Sequence, residues 1–234
     1  MIDSSKIKEF WDNRAIKASE LRVEGVANLE ENSELLDQKV QAEYKKIMEW
    51  VKLTQNISTI LDLGSGAGQW SFRFAKVAKK VVVVEYSRGM LDLAIEGGKK
   101  QQFSNIEFIQ KPAQDYISMD RYDLIWISGL LIYLNDDECE SLINNCASML
   151  TEKGMLLLRD GTGIKNRHEI NNEYSKDLKS FYSACYRTTS EYIALFAKYG
   201  FKLARDEDMF QEESRLNKWK ETRLRVYEFR LSNN

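Results

Sequence analysis

Proline is nearly missing from this chain of 234 residues: Pro112 stands alone, beside 12 glycines. A sequence so poor in breakers is no proline-rich linker, no collagen-like array and no low-complexity segment. Cysteine is limited to Cys139, Cys146 and Cys185. These lack metal-ligand spacing, and the first two fall two helical turns apart, so they are expected as reduced packing thiols in a cytosolic protein. Neither sign of charge is in excess: 34 Lys and Arg face 36 Asp and Glu, for a net charge of −2 and a pI near 5.7. That gives no electrostatic footprint for nucleic acid. No apolar run approaches the roughly 18 residues that span a bilayer. The opening "MIDSSKIKEFWDNRA" lacks the apolar centre of a signal peptide. The chain is therefore expected to be cytoplasmic, with neither membrane nor nucleic acid as partner.

What is present is an ordinary globular composition, 43% hydrophobic and 30% charged, long enough for one good-sized core. Residues 5–53 read as helix in two or three pieces. Within them Leu35, Leu36, Val40, Tyr44, Ile47, Met48 and Val51 recur at spacings of three and four, which is one amphipathic face. The expected division is a helical lid or cap over residues 1–43 and a single compact domain over 44–234. In that domain strands alternate with helices. Strands are expected at 59–63, 81–85 ("VVVVE"), 106–110, 122–127 ("YDLIWI") and 155–159, with helices at 70–77, 88–95, 136–150 and 191–199. A polar loop is expected after the fifth strand. Residues 201–204 and 225–231 close the pattern as two strands with an irregular link, which suits an antiparallel edge. Alternation of this kind implies a mostly parallel sheet with helices on both faces.

The stretch "ILDLGSGAGQW" runs an apolar strand into Gly64, Gly66 and Gly68. A loop there sits at the carboxyl end of the sheet, where open α/β folds bind ligands. Glycine permits positive φ and lets a ligand approach the main chain. Asp62, at the end of the strand, is placed to hold the loop or the ligand. Dinucleotide folds use G-x-G-x-x-G; here Gln69 occupies the third glycine's place, which argues against NAD. Glu85 ends the next strand, where a carboxylate can accept from both hydroxyls of a ribose. Strand, loop, helix and acid together point to an adenosine-containing ligand.

At this point "ILDLGSGAGQWSFRFA", "VVVVEYSRGMLDLA", "YDLIWISGLLIYL" and "LTEKGMLLLRDG" resemble successive motifs of the class I S-adenosylmethionine-dependent methyltransferases. The resemblance covers about residues 44–231. It implies an α/β, Rossmann-like seven-stranded sheet in the order 3-2-1-4-5-7-6, strand 7 antiparallel, with S-adenosylmethionine as cofactor and S-adenosylhomocysteine as product. By resemblance, Asp62, Gly64, Gly66 and Gly68 line the methionine side, Glu85 the ribose, and Tyr86 and Met90 the adenine. The family often carries an Asp-Ala pair after the third strand. This chain has Pro112 in the acidic position, which leaves the Ala113 amide and Gln114 or Asp115 for the adenine edge. Ser128 faces the transferable methyl, and Tyr133 contacts the cofactor or closes the pocket. The "EFWDNRA" segment is similar to lids of small-molecule methyltransferases. It offers Trp11 to the sulfonium through its ring face and Arg14 to the methionine carboxylate.

On the acceptor side, Asp160 and His168 are the candidate bases for a hydroxyl nucleophile. Arg159, Tyr182, Tyr186 and Arg187 are the candidate substrate contacts, suited to a polar or anionic small molecule. "SGLLIY" replaces the acid or Asn, two prolines and aromatic of base N-methylating relatives, which weighs against nucleic acid. Runs such as "NDDE" and "DED" lack ligand periodicity, and a Mg²⁺ site of the catechol type needs more acids than Asp160, so no metal is expected. The resulting expectation is O- or N-methylation of a small molecule by a monomer or homodimer. Two rivals stand beside it: a protein N-terminal amine methyltransferase, for which Asp160 and Asn166 would surround the amine, and a regulator that binds the cofactor without catalysis.

Overall fold

The computed structural model describes residues 2–17, 32–53, 57–175 and 180–232. Its centre is a seven-stranded sheet whose members are apolar on alternating faces, so each face gathers its own core. The strands are β1 (Thr59–Leu63), β2 (Lys80–Glu85), β3 (Ile106–Gln110), β4 (Tyr122–Ser128), β5 (Leu150–Gly163), β8 (Phe201–Asp208) and β9 (Thr222–Leu231). Their order is β3-β2-β1-β4-β5-β9-β8, parallel through β5, with β9 antiparallel to both of its neighbours, β5 and β8. The expected order is therefore found, with the closing pair renumbered by an inserted hairpin. That hairpin is β6 (His168–Ser175) and β7 (Ser180–Tyr186). It replaces the polar loop expected after the fifth strand, and β5 itself runs on to Gly163.

One face of the sheet, with Leu61, Val84, Ile127 and Leu158, packs on α5 (Asp136–Met149) and α6 (Thr189–Ala197). The other, with Ile60, Val83, Trp126 and Leu157, packs on α2 (Ser33–Leu53) and α3 (Gln69–Ala75). Period-two alternation makes this possible, since neighbours on a strand point to opposite faces. In α2 the expected stripe is buried at Leu36, Val40, Ile47, Met48 and Val51, but Tyr44 stays 38% exposed under the guanidinium of Arg73. The remaining helices are α1 (Ser4–Lys17) and α4 (Arg88–Lys100). The latter continues past the expected end at 95 because Phe72 and Phe108 pack against its last turn. Cys139, Cys146 and Cys185 are buried and free.

Helix α1 crosses the carboxyl ends of the strands. Ser87 Oγ donates to Asp12 Oδ1 at 2.6 Å, and the Ile2 amide donates to Asn135 Oδ1 at 2.8 Å. Asn135 also begins α5, where its own amide donates to Glu138 Oε2 at 2.9 Å. The middle of the expected helical lid, residues 18–31, lies outside the described residues. Among the described residues no helix is long and apolar enough to cross a membrane.

Candidate active site

The turn after β1 places three left-handed glycines in a row, Gly64 at φ 72°, Gly66 at 56° and Gly68 at 83°. They do different work. A side chain at Gly68 would lie 2.9 Å from Phe72 and 3.1 Å from Ala94, so that glycine lets α3 pack against α4. A side chain at Gly66 would meet no protein atom within 4 Å, because it would point into open space. That space is a cavity of about 620 Å³ along the carboxyl ends of β1, β2, β4 and β5. Gly68 is not among its lining residues, which corrects the expectation that all three glycines face the ligand.

Two carboxylates hold the loop. Glu85 accepts from the Gly66 amide at 2.9 Å and from the Ser87 amide at 2.8 Å. It is 5% exposed, and burial raises its pKa against the pull of those amides. Asp62 accepts from Ser71 Oγ at 2.6 Å. Burial, with a contribution from the charge of Glu85, pushes its carboxyl up to about 7. Further along the wall, Tyr86 carries a buried hydroxyl with no hydrogen-bond partner among the described residues. Met90, Ala113, Gln114 and Trp11 complete this half. An open backbone cradle, a carboxylate with free lone pairs and an unsatisfied hydroxyl fit a nucleoside with an amino-acid tail.

Trp11 is fixed edge-on to Tyr133 at 5.5 Å and to Phe10 at 5.2 Å, so the aromatic lid is packed. Arg14 stands apart from the cavity lining, with its guanidinium 6.0 Å from the Phe10 ring. Burial lowers the pKa of Arg14. Its expected hold on a methionine carboxylate is not built in this arrangement.

The other half of the cavity lies over β4 and β5. Asp160 is fully buried; its Oδ1 accepts from the Gly161 amide at 2.9 Å, and Tyr192 donates to Oδ2 at 3.4 Å. Burial outweighs the amides and the nearby Arg159 and Arg187 charges and pushes its carboxyl up to about 7. Beside it Tyr186 shares a 2.6 Å hydrogen bond with Tyr182, whose ring stands 6.1 Å from Tyr133. Burial raises both of those hydroxyls above the ordinary tyrosine range. Tyr133 and Tyr186 line the cavity; Tyr182 backs them. Arg159 lines it too, donating from Nη2 to Glu43 Oε1 at 2.7 Å and from Nη1 to Ser128 Oγ at 3.2 Å.

Besides Gly68, Arg14 and Tyr182, two more expected site residues do not line the cavity. His168 sits on β6 across from Tyr186, with ring centroids 5.9 Å apart, and does not line the cavity. Arg187 is only 2% exposed and is spent on structure: it donates to the carbonyls of Leu131 and Leu134 at 2.8 and 2.9 Å and to Asp136 at 2.6 Å. It therefore clamps the turn after β4 rather than a substrate. Sequence reasoning missed Glu43 and the wall made by Phe210 and residues 216–219 and 222–224. Glu43 had a signal, a charge between Val40 and Ile47 on an otherwise apolar helix face. The 216–224 segment had none.

Residues 60–154 match a family described as a methyltransferase domain. Among curated proteins, the chain is 27% identical over 112 residues to alpha N-terminal protein methyltransferase 1 of Dictyostelium discoideum, covering 47% of this chain and 42% of that one. It is 31% identical over 103 residues to a ubiquinone biosynthesis O-methyltransferase of Coxiella burnetii, covering 42% and 41%. These matches span less than half the length of either relative. Among solved structures, the magnesium protoporphyrin IX methyltransferase of Synechocystis, with bound S-adenosylmethionine, aligns at a TM-score of 0.71 and 16% identity over 99% of this chain and 98% of that one. A complex of DhpI with S-adenosylhomocysteine aligns at 0.69 and 17% identity over 97% and 96%. Residues 60–154 thus match a methyltransferase domain, and the sheet around them has the fold of solved S-adenosylmethionine-dependent methyltransferases.

Proposed function

We propose that this protein transfers a methyl group from S-adenosylmethionine to an oxygen or nitrogen atom of a polar small molecule in the cytoplasm, leaving S-adenosylhomocysteine. The carrying observation is that one cavity joins the Gly66 and Glu85 cradle to Arg159, Asp160 and Tyr186. The bound cofactor supplies an activated methyl on a sulfonium. The chain's part is then alignment and exclusion of water. Glu85 and Gly66 fix the nucleoside end. Trp11 and Tyr133 cover the site from α1 and the turn after β4. Asp160, with its carboxyl near neutral, takes the proton when the acceptor atom is a hydroxyl. An amine acceptor needs only orientation and loss of water.

Relatives of both kinds support an O or N acceptor: the ubiquinone biosynthesis O-methyltransferase above, and a phosphoethanolamine N-methyltransferase of Triticum aestivum, 25% identical over 159 residues. Protein N-terminal methylation has its own relative in the Dictyostelium protein. A peptide acceptor calls for an open acidic groove, whereas this cavity is walled by α1 on one side and residues 210–224 on the other. Calorimetry with S-adenosylmethionine and S-adenosylhomocysteine, on the wild type and on Gly66→Arg, tests the cofactor reading. Both nucleosides are expected to bind the wild type and neither the variant. Binding unchanged by the variant refutes the site. Turnover on peptides with none on small molecules refutes the acceptor class.

A further inference from the structure

The face of β4 and β5 that meets α2 carries two N–H donors that have no acceptor among the described residues. Trp126 is fully buried, and its indole Nε1 has no hydrogen-bond partner. Arg159 spends both terminal nitrogens, on Glu43 and Ser128, yet its Nε is buried without a partner. Both residues line the acceptor half of the cavity. Buried donors left unpaired are costly and rare in a folded chain, so a pair of them in one wall marks where an acceptor atom of a ligand belongs.

The charged side chains that line that wall are cations, with the Glu43 carboxylate held behind it on Arg159. The carboxylates that line the cavity are Asp62, Glu85 and Glu138 on the nucleoside side, and Asp160 on the opposite face of the sheet. The wall facing Trp126 instead brings Lys39 from α2, Lys218 from the link between β8 and β9, and Arg223 from the start of β9. Among the described residues Arg223 has no carboxylate partner; it donates to the carbonyls of Trp219 and Thr222. The same cavity is lined by Trp70, Phe210 and Trp219, the last 57% exposed. Flat apolar rings flanked by cations and ending on two N–H donors suit a flat body that carries an oxyanion.

Building on the methyltransferase reading, we propose that the acceptor is an anionic small molecule, an oxyanion on a flat apolar body, anchored by Arg159 Nε and Trp126 Nε1 beneath the 210–224 wall. Arg159 and Trp126 are then specificity determinants: they choose the acceptor and leave the nucleoside alone. The size of the cavity and the sunken position of both donors favour a compact head such as a carboxylate.

The test is calorimetry on the chain saturated with S-adenosylhomocysteine, with hydroxybenzoates and hydroxynaphthoates as probes and their carboxamides as neutral counterparts. At least one carboxylate should bind about tenfold or more tightly than its amide, the factor that one charge-assisted hydrogen bond carries. Trp126→Phe keeps an aromatic ring and deletes the donor; Arg159→Lys keeps a cation for Glu43 and deletes Nε. Either is expected to remove most of that preference. Amide and carboxylate binding alike, no carboxylate binding at millimolar concentration, or a preference untouched by both variants overturns the proposal. If Arg159→Lys does not fold, Trp126→Phe decides alone, because it removes an unsatisfied group and keeps an aromatic ring against Trp70 and Phe74. Failure of S-adenosylhomocysteine to bind the wild type strikes the cofactor reading instead, which separates the two.

Discussion

Replacing Asp160 by Asn should make the protein more stable and less active, and by amounts that depend on pH. The carboxyl of Asp160 is fully buried and titrates near 7, against an ordinary value of 3.8. A native pKa raised above the unfolded one means that the folded chain holds its proton over that interval while the unfolded chain releases it. Stability therefore falls as pH rises from about 4 to about 7 and levels off above that. Three pKa units correspond to about 4 kcal/mol at the plateau. Asn has the same shape and no charge to desolvate, and its amide oxygen can still accept from the Gly161 N–H. Wild type and Asp160→Asn should match near pH 4, with the variant ahead by about 2 to 4 kcal/mol at pH 8. In a chain of this size that is on the order of 5 to 15 °C in Tm.

The assay is thermal or urea denaturation across pH 4–8, with the difference between variant and wild type as the readout, because Asp62 and other groups titrate in both. With a hydroxyl acceptor, kcat/KM of the wild type should rise through pH 7 as the base ionises, and the variant should lose most of the rate. A variant no more stable than the wild type at pH 8 refutes the burial argument. A variant that is more stable and fully active refutes the assignment of the proton to Asp160.

The glycine loop gives a paired prediction. Gly68→Ala should cost about 1 to 3 kcal/mol, since its methyl meets Phe72 at a left-handed φ, while Gly66→Ala should cost about 1 kcal/mol from the backbone alone and yet lose the greater part of cofactor affinity. Urea melts and S-adenosylhomocysteine titrations separate the two; equal cofactor loss in both would undo the division. Glu85→Gln should weaken S-adenosylhomocysteine about tenfold, because an amide cannot accept from the Gly66 and Ser87 N–H groups with both heads. Arg187→Met should lower the urea midpoint by the equivalent of about 3 kcal/mol, as the Leu131 and Leu134 carbonyls lose their donor. Were Arg187 a substrate contact, KM would rise with stability unchanged.

The parallel half of the sheet was legible because a strand buried on both faces leaves an unbroken apolar run, as Val81 to Val84 do. The cofactor half was legible for a related reason: Asp62, Gly66, Glu85 and Met90 sit within one strand-loop-helix-strand-helix passage, so spacing alone brings them together. The hairpin left no such mark. Strand β6, "HEINNEYS", is polar on both sides and mostly exposed, so no period of two separates an inner face from an outer one. Arg187 looked like a substrate fork because a guanidinium bonded to backbone carbonyls has no partner in the sequence to betray it. Glu43 was readable, and the apolar stripe of α2 hid it only because its neighbours were counted and its charge was not.

The acceptor half differs in kind. Its wall is assembled from α2, from the ends of β4 and β5, and from the link between β8 and β9, four stretches spread along the chain. What unites them is sheet order. Because β5 pairs β4 on one side and β9 on the other, Arg159 lies beside Ser128 and across from Val226, and the link that precedes β9 is carried over the same strand ends as Glu43. Each contributor is held by its own core contacts and answers to the acceptor through a few tips, Arg159, Trp219 and Arg223 among them. A change of substrate then requires new side chains on fixed elements, while the passage from Asp62 to Met90 stays bound to the nucleoside's geometry. Fold and cofactor are thus written locally in this chain, and acceptor choice is written in contacts that exist only once the antiparallel edge has formed.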